Sequence, residues 1–93
     1  IGELPEIKLD TKVAIITNPT VAGFHLDKLV KKLKVKELQI ITLPDGEEYK
    51  NWDSINYGLE RIFDAKFDRN SVLLAFGGGV IGDMTGFMAS IFL

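Results

Sequence analysis

The chain has 93 residues, 46% of them hydrophobic, a formal net charge of −2, one histidine and no cysteine. That length allows at most one small domain with a modest core, and the charge balance speaks against nucleic acid, which calls for a basic face. The missing cysteines exclude disulfides and thiolate metal sites and suit a reducing cytoplasm, while no apolar run reaches the ~18 residues a membrane span needs.

In chain order, the first element is the apolar, β-branched run "KVAIITN" (12–18), which reads as a strand. After Asn18 and Pro19 a helix is expected, with Leu26, Leu29, Val30 and Leu33 repeating at three and four residues. His25 falls near the start of that helix and is expected at its surface or cap. Lys28, Lys31, Lys32, Lys34 and Lys36 read as its solvated face. A second strand, "ELQIITL" (37–43), runs into the turn-rich "PDGEEYK" (44–50). A second helix spans 51–65, with Asn51 as N-cap and Trp52, Ile55, Leu59, Ile62 and Phe63 on one face. "FDRN" reads as a turn into a third strand, "SVLLAF" (71–76), and a third helix follows Gly77, Gly78 and Gly79. Trp52, Phe63, Phe67 and Phe76 are assigned to the core. The order β-α-β-α-β-α predicts a Rossmann-like α/β fold with an open parallel sheet and right-handed crossovers. The opening Ile1 and the uncapped apolar end "FMASIFL" suggest that residues 1–93 form an incomplete domain of a larger protein.

In such sheets ligands sit beyond the carboxyl ends of the strands, and the unusual residues collect there. Gly77-Gly78-Gly79-Val80-Ile81-Gly82 satisfies G-x-G-x-x-G between a strand and a helix. Glycines let backbone N–H groups approach a pyrophosphate, and a helix N-terminus supplies partial positive charge. The motif follows the third strand rather than the usual first, so tight packing of the turn stands as the other explanation. Asp83 is either a first-turn carboxylate favoured by the helix dipole or an acceptor for a ribose hydroxyl. In "PDGEEYK", Asp45 and Glu48 have capping-box spacing. The other reading has Glu47 gripping a ribose diol and Lys50 a phosphate or carbonyl oxygen. One histidine without cysteine builds no histidine-rich metal site.

"LPDGEEYKN" followed by "DRNSVLLAFGGGVIGDMTGF" resembles the N-terminal NAD-binding region of 3-dehydroquinate synthase, over about Thr11 to Leu93. The resemblance rests on two separate motifs in the right order, each at a strand end. It implies that Gly78, Gly79, Val80, Ile81, Gly82 and Asp83 wrap the NAD pyrophosphate and the adjoining ribose. Asp45, Gly46, Glu47, Glu48, Tyr49 and Lys50 would contact the other nucleoside, chiefly through Glu47 and Lys50. Asn18 stands where the family often carries an aspartate on the adenosine ribose, and Glu48 where glutamine is common. The family reaction turns 3-deoxy-D-arabino-heptulosonate 7-phosphate into 3-dehydroquinate and phosphate, in the shikimate route to aromatic amino acids. It proceeds by transient oxidation, phosphate elimination, hydride return and aldol closure. Zinc, or cobalt in its place, is expected on ligands downstream of this chain, as are the catalytic residues, so the fragment alone should be inactive. The resemblance further implies a homodimer in the cytoplasm, a small sugar-phosphate substrate, and neither nucleic acid nor membrane as partner.

Two other readings stay in view. One is another sugar-phosphate cyclase, or a metal-dependent polyol dehydrogenase of the glycerol dehydrogenase type, which shares only the glycine turn and a following aspartate. The other is a non-catalytic doubly wound regulatory module. A receiver-like regulator needs clustered acids after its first strand, and this chain has Asn18-Pro19 there.

Overall fold

A computed structural model describes residues 6–92. Ile1 and Leu93, on which the expectation of an incomplete domain partly rested, lie outside the described residues. The elements run β1 (Ile7–Thr17), α1 (Pro19–Lys32), β2 (Leu33–Thr42), a single 3-10 turn (Glu47–Tyr49), α2 (Trp52–Asp64), β3 (Val72–Phe76) and α3 (Gly79–Phe92). The three strands form one parallel sheet in the order β2-β1-β3. This is the alternating α/β architecture expected, and β1 lies in the middle.

Both long strands begin earlier than the apolar runs indicate, at Ile7 and Leu33. Lys34 and Lys36 therefore lie on β2 and not on the α1 face, and Leu33 is a strand residue. The cause is local: α1 passes directly into β2, with Leu33 as its C-cap in extended conformation and no glycine or proline to mark the change. His25, seventh in α1, sits in the middle of the helix rather than near its start. Asn18 caps α1, its Oδ1 accepting from the Val21 N–H at 3.3 Å, and Pro19 takes the first turn, where no N–H is missed.

Alternation along β1 sends its side chains to both faces of the sheet. Ala14 and Ile16 join Ile41, Ile55, Ile62, Ile81, Met84 and Met88 in a core beneath α2 and α3. Ile15 packs on the other face with Leu29 and Leu33, flanked by Leu26 and Val30 of α1. Among the described residues, only β1 has both faces covered over a continuous run, from Val13 to Thr17. The apolar runs of β2 and β3 are only partly buried, because these strands flank β1 on the two sides of the sheet.

α2 begins as expected, Asn51 Oδ1 accepting from the Ser54 N–H at 3.0 Å. Its apolar stripe is narrower than the periodicity suggests. Ile55 and Ile62 are buried and Leu59 packs against the same core, but Trp52 is 60% and Phe63 72% exposed. Both were assigned to the core and both lie outside it, at the margins of the stripe. Phe67, by contrast, is buried. The Lys12 ammonium donates to the Ala65 and Lys66 carbonyls at 2.8 and 3.2 Å, a cation placed on the negative end of α2. The Asp68–Asn70 turn closes through the Ser71 N–H onto the Asp68 carbonyl at 3.0 Å and leads into β3.

Candidate functional site

Parallel register brings Thr17, Thr42 and Phe76 level at one edge of the sheet. Thr17, buried on β1, donates its hydroxyl to the Phe76 carbonyl at 2.7 Å and locks the ends of β1 and β3 together. The chain leaves β1 toward β2 on one side and reaches β3 on the other. The strand order thus reverses between β1 and β3, which is where open α/β sheets hold ligands.

The glycine run stands at that point. An added Cβ on Gly77 would lie 2.8 Å from the Ile81 side chain, so packing explains this glycine. At Gly78, Gly79 and Gly82 an added Cβ would meet nothing within 4 Å, and none of them has a positive φ. Neither crowding nor backbone strain accounts for these three. What they leave is bare backbone facing open space at the start of α3. The Gly82 N–H is the first to bond within the helix, to the Gly78 carbonyl at 3.0 Å. Gly79, Val80 and Ile81 are the orphan donors of the first turn, and no side chain among the described residues caps them. The Ile81 side chain is buried in the core and Val80 packs against it, so both offer a ligand chiefly their backbone N–H.

The "PDGEEYK" segment comes to the same place. Lys50 Nζ donates to Asp83 Oδ2 at 2.9 Å and lies 3.8 Å from Glu47 Oε1. The hydrogen bond and charge of Asp83, then the charge of Glu47, push the Lys50 ammonium above the ordinary lysine value of 10.5. The stability that Lys50's charge lends the folded chain is therefore undiminished just below the ordinary value and is lost as pH climbs through the raised one. Lys50 should titrate above 10.5 in side-chain NMR, and Asp83→Asn should bring the midpoint back down. A midpoint indifferent to Asp83→Asn would show that the two groups are apart in solution.

Asp45 does not form the expected capping box with Glu48. Its carboxylate accepts instead from Thr20, from the N–H at 3.4 Å and from the hydroxyl at 3.0 Å. Gly46 reverses the chain at φ 106°, a conformation that favours glycine. Glu48 is exposed, while Tyr49 lines a cavity of about 420 Å³ with Thr42, Pro44 and Tyr57. Asn18 stands at the same edge with its amide oxygen engaged in capping. A second cavity, about 230 Å³, lies beside Lys50 and Asp83 and is walled by Trp52, Ile55, Met84 and Phe87. Trp52 and Phe87 meet edge to face there, centroids 6.3 Å apart. Thr20 and this aromatic pair are the residues the sequence reading missed. Among the described residues, no three His, Asp or Glu side chains gather as a metal set.

The model of the 3-dehydroquinate synthase N-terminal family matches residues 40–93. The chain belongs to that family. Its relatives include the 3-dehydroquinate synthases of a Nitratiruptor species, 60% identical over 99% of the chain, and of a Sulfurovum species, 56% identical over the same share. The chain spans about a quarter (26%) of the length of each. Among solved structures, a 2-deoxy-scyllo-inosose synthase complexed with carbaglucose-6-phosphate, NAD+ and Co2+ shares the fold, with a TM-score of 0.70 at 22% identity, over 89% of this chain and 23% of that one. Membership of the 3-dehydroquinate synthase family agrees with the resemblance carried by "LPDGEEYKN" and the glycine turn.

Proposed function

We propose that this chain is the NAD-binding part of a 3-dehydroquinate synthase, and that the whole protein converts 3-deoxy-D-arabino-heptulosonate 7-phosphate to 3-dehydroquinate and phosphate. The observation that carries the reading is the meeting, at the β1/β3 edge, of a glycine-lined helix N-terminus with the Lys50–Asp83 pair. The fit to a dinucleotide is physical. Gly79, Val80 and Ile81 have free first-turn N–H groups, and Gly78, Gly79 and Gly82 keep side-chain bulk away from them. These amides would hold the pyrophosphate. Asp83 would accept from a ribose hydroxyl, with Glu47 and Lys50 on the second nucleoside and Asn18 donating its amide N–H to the adenosine ribose. When bound, NAD supplies a reversible hydride acceptor.

This chain's share of the work is binding and orientation. Residues downstream would hold zinc or cobalt and the sugar phosphate, and the chain alone would be inactive. The same reading makes the complete protein a cytoplasmic homodimer. Among the described residues no helix is long and apolar enough to cross a membrane. The relatives at 56–60% identity favour this synthase over other cyclases and polyol dehydrogenases. The test is turnover. The full-length protein with NAD+ and zinc should release phosphate from 3-deoxy-D-arabino-heptulosonate 7-phosphate and form 3-dehydroquinate. Turnover of a hexose 6-phosphate in its place would assign it to another cyclase.

A further inference from the structure

The segment from Asp45 to Lys50 buries no side chain to fix its position, and its nearest local support is Asn51, whose side-chain amide donates to the Glu48 carbonyl at 3.1 Å. Its 3-10 turn has no buried residue, Gly46 supplies a hinge at φ 106°, and every residue from Gly46 to Lys50 is exposed. Such a segment belongs to the least stable part of a fold unless its ends are tied. Here both ends are tied, each across a long sequence separation. Lys50 is held by Asp83 of α3 at 2.9 Å. Asp45 is held by Thr20 of α1, through the N–H and the hydroxyl.

The second tie is built from α1 itself. Thr20 is the second residue of the helix, so its N–H is one of the orphan first-turn donors. The Asp45 carboxylate, 25 residues away, supplies the missing acceptor and places a negative charge at the positive end of α1. Each of its oxygens is engaged, Oδ1 by the N–H and Oδ2 by the hydroxyl. We propose that Thr20 is a positioning residue: with Asp45 it clasps segment 45–50 to α1 and so sets where Glu47 and Lys50 stand beside α3. Asp45, expected among the cofactor contacts, then acts through the strap and not on the ligand. The inference rests on the NAD-binding reading of the α3 N-terminus.

The test is calorimetric titration of the full-length protein with NAD+, paired with thermal melts without cofactor. Thr20→Val keeps shape and branching but loses the hydroxyl donor, and should weaken NAD+ binding about three- to tenfold. Thr20→Ser should restore it. In a Lys50→Met background, Thr20→Val should cost less than it does alone, since only Glu47 is then left for the strap to place. Should Thr20→Val prove unfolded in the melts, Asp45→Asn carries the same comparison. Losses that multiply in the double variant, or a folded Thr20→Val that binds as wild type does, overturn the clasp alone. A wild-type protein that fails to bind NAD+ overturns the cofactor reading, and the clasp with it.

Discussion

Gly79→Val in the full-length protein should cut NAD+ affinity more than tenfold, a loss above ~1.4 kcal/mol, while the cofactor-free melt stays near wild type. Both halves follow from one observation: a Cβ at Gly79 meets nothing within 4 Å. The protein has no packing reason for glycine there, so added bulk would be felt only by something that comes to the backbone. Gly77→Val should behave in the opposite way. Its Cβ would lie 2.8 Å from Ile81, whose side chain is buried at 1% exposure and has little room to yield. Overpacking of this kind costs about 1–3 kcal/mol, so the melt should fall. Equilibrium dialysis beside thermal melts separates the two effects. A Gly79→Val protein that melts far below wild type yet binds NAD+ normally when folded would assign this glycine to packing as well.

The second large effect lies in the core. Ile16 is fully buried near the C-terminal end of β1, between the ends of β2 and β3 and beneath α2 and α3. Ile16→Ala should cost about 2–5 kcal/mol, the transfer term plus a cavity that the flanking strands cannot close. Ile40→Ala is the control. Ile40 is also a β-branched strand residue but is 40% exposed, so its loss should be well under half as large. Urea titrations of the two variants make the comparison, and equal midpoints would contradict the burial of β1.

The strands were legible because parallel strands write themselves as short β-branched runs, and "KVAIITN" supplies β1's buried stretch from Val13 to Thr17. Asn51 was legible because capping is a local event, settled within three residues. The failures have different causes, and for Asp45 the cause is competition from a partner distant in sequence. Asp45 and Glu48 had the spacing for a capping box, but Thr20 offered two donors and won the carboxylate. Trp52 and Phe63 fit the helical period, yet period says nothing about how wide the covered stripe is. Lys34 and Lys36 were misplaced because α1 turns into β2 without a connecting residue.

At the site, the sequence identified the two segments that meet but left the reason for the glycines open between packing and ligand access. The structure divides them, assigning Gly77 to packing and leaving Gly78, Gly79 and Gly82 over open space. The Lys50–Asp83 bridge spans 33 residues and was invisible to any local pattern. Two expected ligands, Lys50 and Asp83, are bonded to each other, which holds their two segments together at one edge of the sheet.

In the proposed function, the open backbone at the start of α3 receives the pyrophosphate of NAD. A crystal structure of the full-length protein with NAD+ tests it most directly. Pyrophosphate oxygens are expected within hydrogen-bonding distance, about 2.7–3.2 Å, of the Gly79, Val80 and Ile81 amides. A dinucleotide bound away from the β1/β3 edge, with those amides left to solvent, would contradict it.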